Sequence, residues 1–151
     1  MAKEIERKYL VTSTDYRDMA SRVRHITQAY LSTDPRSTVR LRIIDGRGKL
    51  TVKGITRGAT RDEWEFDIPA DDARDMIEAC ACSKIIDKDR YIVDYEGHRW
   101  EVDEFHGEHE GLVVAEIELG DEAERFEKPG FIGREVTGDT RYYNSSLAGI
   151  C

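Results

Sequence analysis

The sequence predicts an α+β chain, mostly β, whose antiparallel strands close or nearly close into a barrel with helices packed outside. Three observations lead there. Charged residues recur at i, i+2 in strand-like runs: Glu4/Glu6, Arg40/Arg42, Glu63/Glu65, Lys88/Arg90, Glu101/Asp103 and Glu116/Glu118. The sign is constant within a run and changes between runs, while the intervening positions are largely apolar. Hairpin signals such as Asp45-Gly46-Arg47-Gly48 and Glu96-Gly97 join the runs. Because alternate side chains of a strand face opposite ways, such runs present one charged and one apolar face. A solvated face would mix signs and carry more Thr, Ser and Gln. Charged faces turned inward invert the usual small barrel, whose interior is apolar.

The elements follow in order. Residues 3–11 read as a strand with Glu4, Glu6 and Lys8 on one face and Ile5, Tyr9 and Val11 on the other. Ser13 or Thr14 can cap a helix over 15–24, with Met19, Ala20 and Val23 as its apolar stripe. Residues 25–31 form a strand ended by Asp34-Pro35, and 37–44 and 49–55 are the arms of a hairpin. The 54–60 stretch is a Gly-containing connection. Residues 61–68 place Trp64, Phe66 and Ile68 on an apolar face and stop at Pro69. A helix over 71–80 carries Ala73, Met76, Ile77 and Cys80 at helical spacing. Residues 83–95 and 98–105 make a second hairpin, 112–119 is the last long strand, and short helices are expected over 122–128 and 144–148. That gives seven or eight strands in one domain spanning 1–151.

Composition narrows the function. Of 151 residues, 36% are charged and 39% hydrophobic, and the formal net charge is −8. That charge argues against nucleic acid, which needs a basic surface. It leaves room for a small polyanion in a locally basic cleft. No apolar run reaches the length of a membrane span and no signal-peptide pattern precedes the first strand, so a cytoplasmic protein is expected. Cys80, Cys82 and Cys151 read as free thiols. Gly46-Arg47-Gly48-Lys49 lacks the spacing of a P-loop and reads as a turn.

If the charged faces line an interior, the basic set is Lys8, Arg40, Arg42, Lys53, Lys88 and Arg90. Burying so many cations is unfavourable without an anion to offset them, and arginine forks match phosphate oxygens. The acidic set is Glu4, Glu6, Glu63, Glu65, Asp103, Glu116 and Glu118. Two carboxylates about 7 Å apart repel by roughly 2 kcal/mol at an effective dielectric near 20. An all-oxygen donor set suits Mg²⁺ or Mn²⁺. Basic groups beside metal-binding carboxylates are what phosphoryl transfer requires. No serine or cysteine sits in a nucleophile motif, which leaves water to attack.

Glu4-Ile5-Glu6-Arg7-Lys8 resembles the ExExK signature of the CYTH superfamily, the triphosphate tunnel metalloenzymes. The likeness continues in order through Gln28-Ala29-Tyr30-Leu31, Val39-Arg40-Leu41-Arg42, Thr51-Val52-Lys53 and Glu63-Trp64-Glu65. It runs on through Lys88-Asp89-Arg90, Glu101-Val102-Asp103, Glu116-Ile117-Glu118 and Gly133-Arg134-Glu135-Val136-Thr137. The resemblance implies an eight-stranded antiparallel barrel whose tunnel binds a triphosphate. It implies catalytic and phosphate-contacting roles for the six basic residues, and divalent-metal binding by Glu4, Glu6, Glu116 and Glu118. Glu63, Glu65 and Asp103 would be further acidic lining for a second metal or a water, and Lys84 a further lining residue. The expected activity is metal-dependent hydrolysis of a small triphosphate, foremost inorganic tripolyphosphate, by a monomer or homodimer. ATP and thiamine triphosphate are further substrates to weigh. A class IV adenylyl cyclase and a non-catalytic polyphosphate-binding module are the alternatives.

Overall fold

The computed structural model describes residues 2–149. Nine strands and three helices follow the order β1 (Ala2–Val11), α1 (Tyr16–Met19), β2 (Arg22–Ser32), β3 (Thr38–Ile44), β4 (Arg47–Lys53), β5 (Thr60–Ile68), α2 (Ala70–Cys80), β6 (Ile86–Tyr95), β7 (His98–Phe105), β8 (Val113–Glu118), β9 (Ile132–Glu135) and α3 (Asn144–Leu147). The sheet runs β5-β4-β3-β2-β6-β7-β8-β1-β9, and β5 also pairs with β1. Eight antiparallel strands therefore close on themselves, as the charge pattern required, and β9 is an appendage on β1.

One edge of β1 is shared. Residues 2–5 pair with β5, while residues 9–11 pair with β9. Between them the Glu6 amide donates to the Ala59 carbonyl (3.1 Å) and the Lys8 amide to Thr137 Oγ1 (2.9 Å). The other edge is held by β8, in a register that sets Glu6 opposite Glu118 and Lys8 opposite Glu116. The β3–β4 and β6–β7 hairpins turn on Asp45-Gly46 (φ 49 and 77) and Glu96-Gly97 (φ 47 and 80). Positive φ at both central residues matches the twist of the flanking strands.

Two sequence expectations give way. The helix expected over 15–24 shrinks to the single turn Tyr16–Met19, because Arg22–Gln28 are recruited as a strand against β6. Ladder bonds and β-branched Val23, Ile26 and Thr27 outweigh the weak helical stripe. The stretch 122–128 is not helical. It crosses the outside of the barrel and packs Phe126 against Trp100 and Tyr9, ring centroids 5.7 and 6.4 Å away. Cys82 is disulfide-bonded, which corrects its reading as a free thiol. Cys80 is free and exposed, and Cys151 lies outside the described residues.

Two apolar clusters flank the charged interior. The larger lies outside the wall, where Tyr9, Trp100, Val102, Ala115 and Ile117 are covered by Tyr16 and Phe131. The smaller continues the inward strand faces: two residues beyond Gln28, Lys88, Asp103 and Glu116 come Tyr30, Ile86, Phe105 and Val114, which cluster with Ala148 and Leu147. The outer face of β5 is left uncovered, with Trp64 37% and Phe66 55% exposed.

Helix α2 seats against the outside of β4 at Gly48. A Cβ there would stand 2.8 Å from the Ile68 carbonyl, 3.0 Å from that of Pro69 and 3.1 Å from Ala73 Cβ. Gly48→Ala is expected to lower stability by about 1–3 kcal/mol through overpacking against backbone. A melting curve matching wild type would show that α2 can shift at no cost.

Candidate active site

The barrel encloses a cavity of about 480 Å³. Eleven of the thirteen residues singled out from the sequence line it: Glu4, Glu6, Lys8, Arg40, Arg42, Lys53, Glu63, Glu65, Arg90, Glu116 and Glu118. The other two, Lys88 and Asp103, are buried in the wall behind Arg90, with side chains 0% and 3% exposed. Lys84 sits outside the bore, exposed and paired with Glu108 at 3.1 Å. Cys and His are absent from the lining residues.

The wall's charges sort into matched and unmatched groups. Asp103 is fully engaged: Oδ1 accepts from Arg90 Nε (2.8 Å), and Oδ2 from Arg90 Nη2 (2.9 Å) and Lys88 Nζ (2.8 Å). Burial alone would raise its pKa, yet the two cations hold it well below the carboxylate range. Glu101 takes a further bond from Arg90 Nη1 at 3.1 Å. Burial pushes the Lys88 ammonium down to about 7 against the pull of Asp103. Glu116 pairs with Lys8 at 3.4 Å, and Lys8, Arg90 and Lys88 bring it down to about 2 despite burial. Glu4 accepts from Lys53 Nζ at 2.9 and 3.0 Å. Glu65 receives Thr51 Oγ1 at 3.3 Å and stands 3.6 Å from Lys49.

The unmatched groups lie on opposite walls. On β3, Arg42 donates twice to one neutral oxygen, Gln28 Oε1, at 2.9 and 2.7 Å. Burial, with Arg40 and Arg90 nearby, lowers its pKa to about 9. Arg40 is partly matched: its Nη2 donates to Thr51 Oγ1 at 3.1 Å and stands 3.9 Å from Glu65 Oε2, while its buried Nε has no hydrogen-bond partner among the described residues. Across the bore, Glu6 and Glu118 make no hydrogen bond or close ion pair among the described residues. Both have raised pKa values, Glu6 through burial and the charges of Glu116 and Glu4, Glu118 through burial and those of Glu4 and Glu101. Glu63 is raised to about 7 by burial and its contact with Glu4. Among the described residues, no three Asp, Glu, His or Cys side chains gather tightly enough to enclose an ion alone. Mg²⁺ does not require that, since it keeps several waters and takes one or two carboxylates plus substrate oxygens.

Four participants lay outside the sequence assignment. Glu101 shares the alternation of Asp103, Gln28 lies in phase with inward Tyr30, and Thr51 sits between Lys49 and Lys53, so their periodicity could have found them. Asn144 gave no such signal. It reaches the interior from the chain's tail, where its Oδ1 accepts from Lys88 Nζ (2.8 Å) and Gln28 Nε2 (3.2 Å).

A closed antiparallel barrel around a bore lined by cations and carboxylates defines the class. The CYTH domain family model matches residues 2–147, and the chain belongs to that family. Its relatives include an inorganic triphosphatase of Acetivibrio thermocellus, 48% identical over 147 residues, covering 97% of this chain and 94% of the relative. An inorganic triphosphatase of Nitrosomonas europaea is 32% identical over 150 residues, with 96% of each chain covered. The crystal structure of the inorganic triphosphatase NE1496 matches with a TM-score of 0.68 at 31% identity, covering 98% of this chain and 95% of that one. No helix among the described residues is long and apolar enough to cross a membrane.

Proposed function

We propose that this protein hydrolyses a small triphosphate, inorganic tripolyphosphate foremost, with a divalent cation, Mg²⁺ or Mn²⁺, as cofactor. The observation that carries this reading is the division of the bore. On β3 the Arg42 guanidinium meets only the neutral Gln28 oxygen, while on β1 and β8 Glu6 and Glu118 have no cation partner among the described residues, so each side carries charge that the protein itself does not offset. A polyanion relieves one wall and a divalent cation the other. The naming of the relatives supports the same reading.

Arg40 and Arg42 bind and orient the phosphate chain by paired N–H donors, with Lys8, Lys53 and Arg90 as further basic lining and Lys88 adding its charge from the wall behind Arg90. Glu6 and Glu118 would hold the cation, flanked by Glu4 and Glu116; burial and neighbouring carboxylates raise the proton affinity of both, which suits them to a positive ion. Bound there, the cation supplies charge neutralisation at the phosphoryl oxygens. Glu63 and Glu65 complete the acidic lining. Asp103, with both oxygens occupied, positions Arg90 and Lys88. A water attacks the terminal phosphorus in line, giving orthophosphate and diphosphate.

The test is to incubate the protein with tripolyphosphate, ATP and thiamine triphosphate, each with Mg²⁺ and with Mn²⁺, and to measure orthophosphate and cyclic AMP separately. Orthophosphate from tripolyphosphate is expected. Cyclic AMP with pyrophosphate as the main product from ATP would replace the hydrolase by a cyclase. Tight binding without turnover under either metal would leave a binding module.

Metal binding has its own signature. Raised carboxylate pKa values mean that the folded state holds more protons than the unfolded one from about pH 4.5 upward, so these groups erode stability as pH rises through that window. A divalent cation competes with those protons. At a metal concentration about a hundredfold above Kd, binding contributes about 2.7 kcal/mol, or about 5–10 °C in Tm for a chain this size. That shift is expected at pH 8 and should nearly vanish at pH 5. A shift equal at both pH values would remove the metal from these carboxylates.

A further inference from the structure

The cavity has a rim beside the β3–β4 hairpin. The lining side chains there, Arg24, Lys49, Glu65 and Glu101, are about one-third exposed (32%, 30%, 38% and 34%), whereas Lys8 is at 9%. Lys49 is committed to this rim, its Nζ 2.6 Å from Asp67 and 3.6 Å from Glu65. Arg24 is not. Its guanidinium makes no hydrogen bond among the described residues, its Nε is buried, and its ion pair with Asp45 at the hairpin turn spans 3.7 Å. An exposed pair at that distance contributes little to stability. The fold therefore has little use for this charge.

Strand phase sets where Arg24 stands. Along β2 it alternates in step with Ile26, Gln28 and Tyr30, and both Arg24 and Tyr30 line the cavity. Four residues, about 13 Å of strand, separate it from Gln28, the acceptor of Arg42. The two guanidinium groups thus occupy different depths, Arg42 within and Arg24 at the rim. Opposite Arg24 in the ladder is Arg90. Arg90 is already spoken for, with Nε and Nη2 on Asp103 and Nη1 on Glu101.

We propose that Arg24 is a specificity-determining residue of the bore: it receives the far terminal phosphate of a linear triphosphate whose other units are held by Arg40 and Arg42. The inference rests on the triphosphate reading of the same bore and adds which end group the site selects. A terminal phosphate has its second ionisation near pH 6 and is nearly dianionic at pH 8. An α-phosphate esterified to ribose keeps a single ionisable oxygen, and a nucleoside triphosphate in the same grip sets its neutral sugar at the rim. A fork of N–H donors bonds most strongly to the more highly charged group. A donor left without an acceptor penalises the ligand that fails to supply one. Arg24 therefore favours inorganic tripolyphosphate over nucleoside triphosphates.

Arg24→Met and Arg24→Lys would be compared with wild type and with Arg47→Gln, which removes an exposed charge from the same hairpin outside the cavity lining. Melting curves would confirm that each variant is folded. Calorimetry without divalent metal at pH 8 would give Kd for tripolyphosphate and for ATP, and kinetics with Mg²⁺ and with Mn²⁺ would give KM and kcat. Arg24→Met is expected to weaken tripolyphosphate by about tenfold or more in Kd and KM, with kcat within about threefold of wild type, while ATP changes by less than about threefold. Arg24→Lys should recover most of the loss, and Arg47→Gln should keep the wild-type ratio of the two ligands. Equal losses for both ligands would overturn the proposal and make Arg24 a source of general positive field. Wild-type constants in Arg24→Met would overturn it too, as would a wild type that binds ATP as tightly as tripolyphosphate. A binding preference that collapses in Arg24→Met while wild type hydrolyses nothing would reject the hydrolase and leave the rim contact standing.

Discussion

Arg42→Met is expected to lower kcat/KM for tripolyphosphate by about 10²–10³, the usual range for removing one preorganised donor to a charged reacting group, while leaving the protein as stable as wild type or more so. Two opposing effects decide the stability. A guanidinium brought down from its ordinary range to about 9 is penalised in its charged form by about 5 kcal/mol. Removing it deprives Gln28 Oε1 of two bonds, and leaving that buried acceptor unmatched costs about 1–3 kcal/mol. The first effect is larger, so the variant's melting midpoint should not fall. The pH dependence has a definite sign. The folded protein releases the Arg42 proton before the unfolded chain does, so wild type regains stability as pH rises through about 9 and its deficit relative to the variant narrows. Added tripolyphosphate should reverse the order by raising the wild-type midpoint more. Undiminished turnover in the variant, or a midpoint several degrees lower without ligand, would show that Arg42 is a structural cation rather than a phosphate contact.

Much of this could be read from the sequence, for a physical reason. A barrel that turns its charged face inward writes each wall as an i, i+2 pair, and the strand period converts those pairs into directions without tertiary information. Eleven of the thirteen residues so chosen line the cavity. What the pattern could not convey was matching. Asp103 and Glu118 look alike in sequence, each ending an acidic pair on a strand. Only the register of β7 against β6, which sets Asp103 opposite Arg90, separates a carboxylate locked between cations from one that faces another carboxylate. The tail was illegible for a different reason. Asn144 acts on residues 56 and 116 positions away from a segment with no strand period, so no local rule points to it. The helix expected over 15–24 failed because a seven-residue ladder with β6 outweighs the local propensity that favoured it.

That difference in matching yields the sharpest test, in which one chemical change has opposite consequences at two carboxylates. Asp103→Asn keeps the shape of the side chain but removes the charge held by Arg90 and Lys88. Breaking a buried ion pair from one side strands the partner charges, an effect of about 3–5 kcal/mol. For a chain of this size the melting midpoint should drop by about 6–20 °C. Activity should fall with it, because Arg90 loses the fork that aims it. The fraction that remains folded should still gain stability from Mg²⁺ or Mn²⁺, since Asp103 is not assigned to the metal. Glu6→Gln removes a charge that burial and Glu116 and Glu4 already disfavour. Its midpoint should equal or exceed that of wild type without metal, and the metal-induced shift should be lost. If both amides destabilise alike, the bore is an ordinary network of compensated ion pairs. If neither does, its charges are too well solvated for any of them to be poised for a ligand. Opposite signs require a wall that is satisfied at Asp103 and unsatisfied at Glu6, the condition under which an empty bore draws in both a polyanion and a cation.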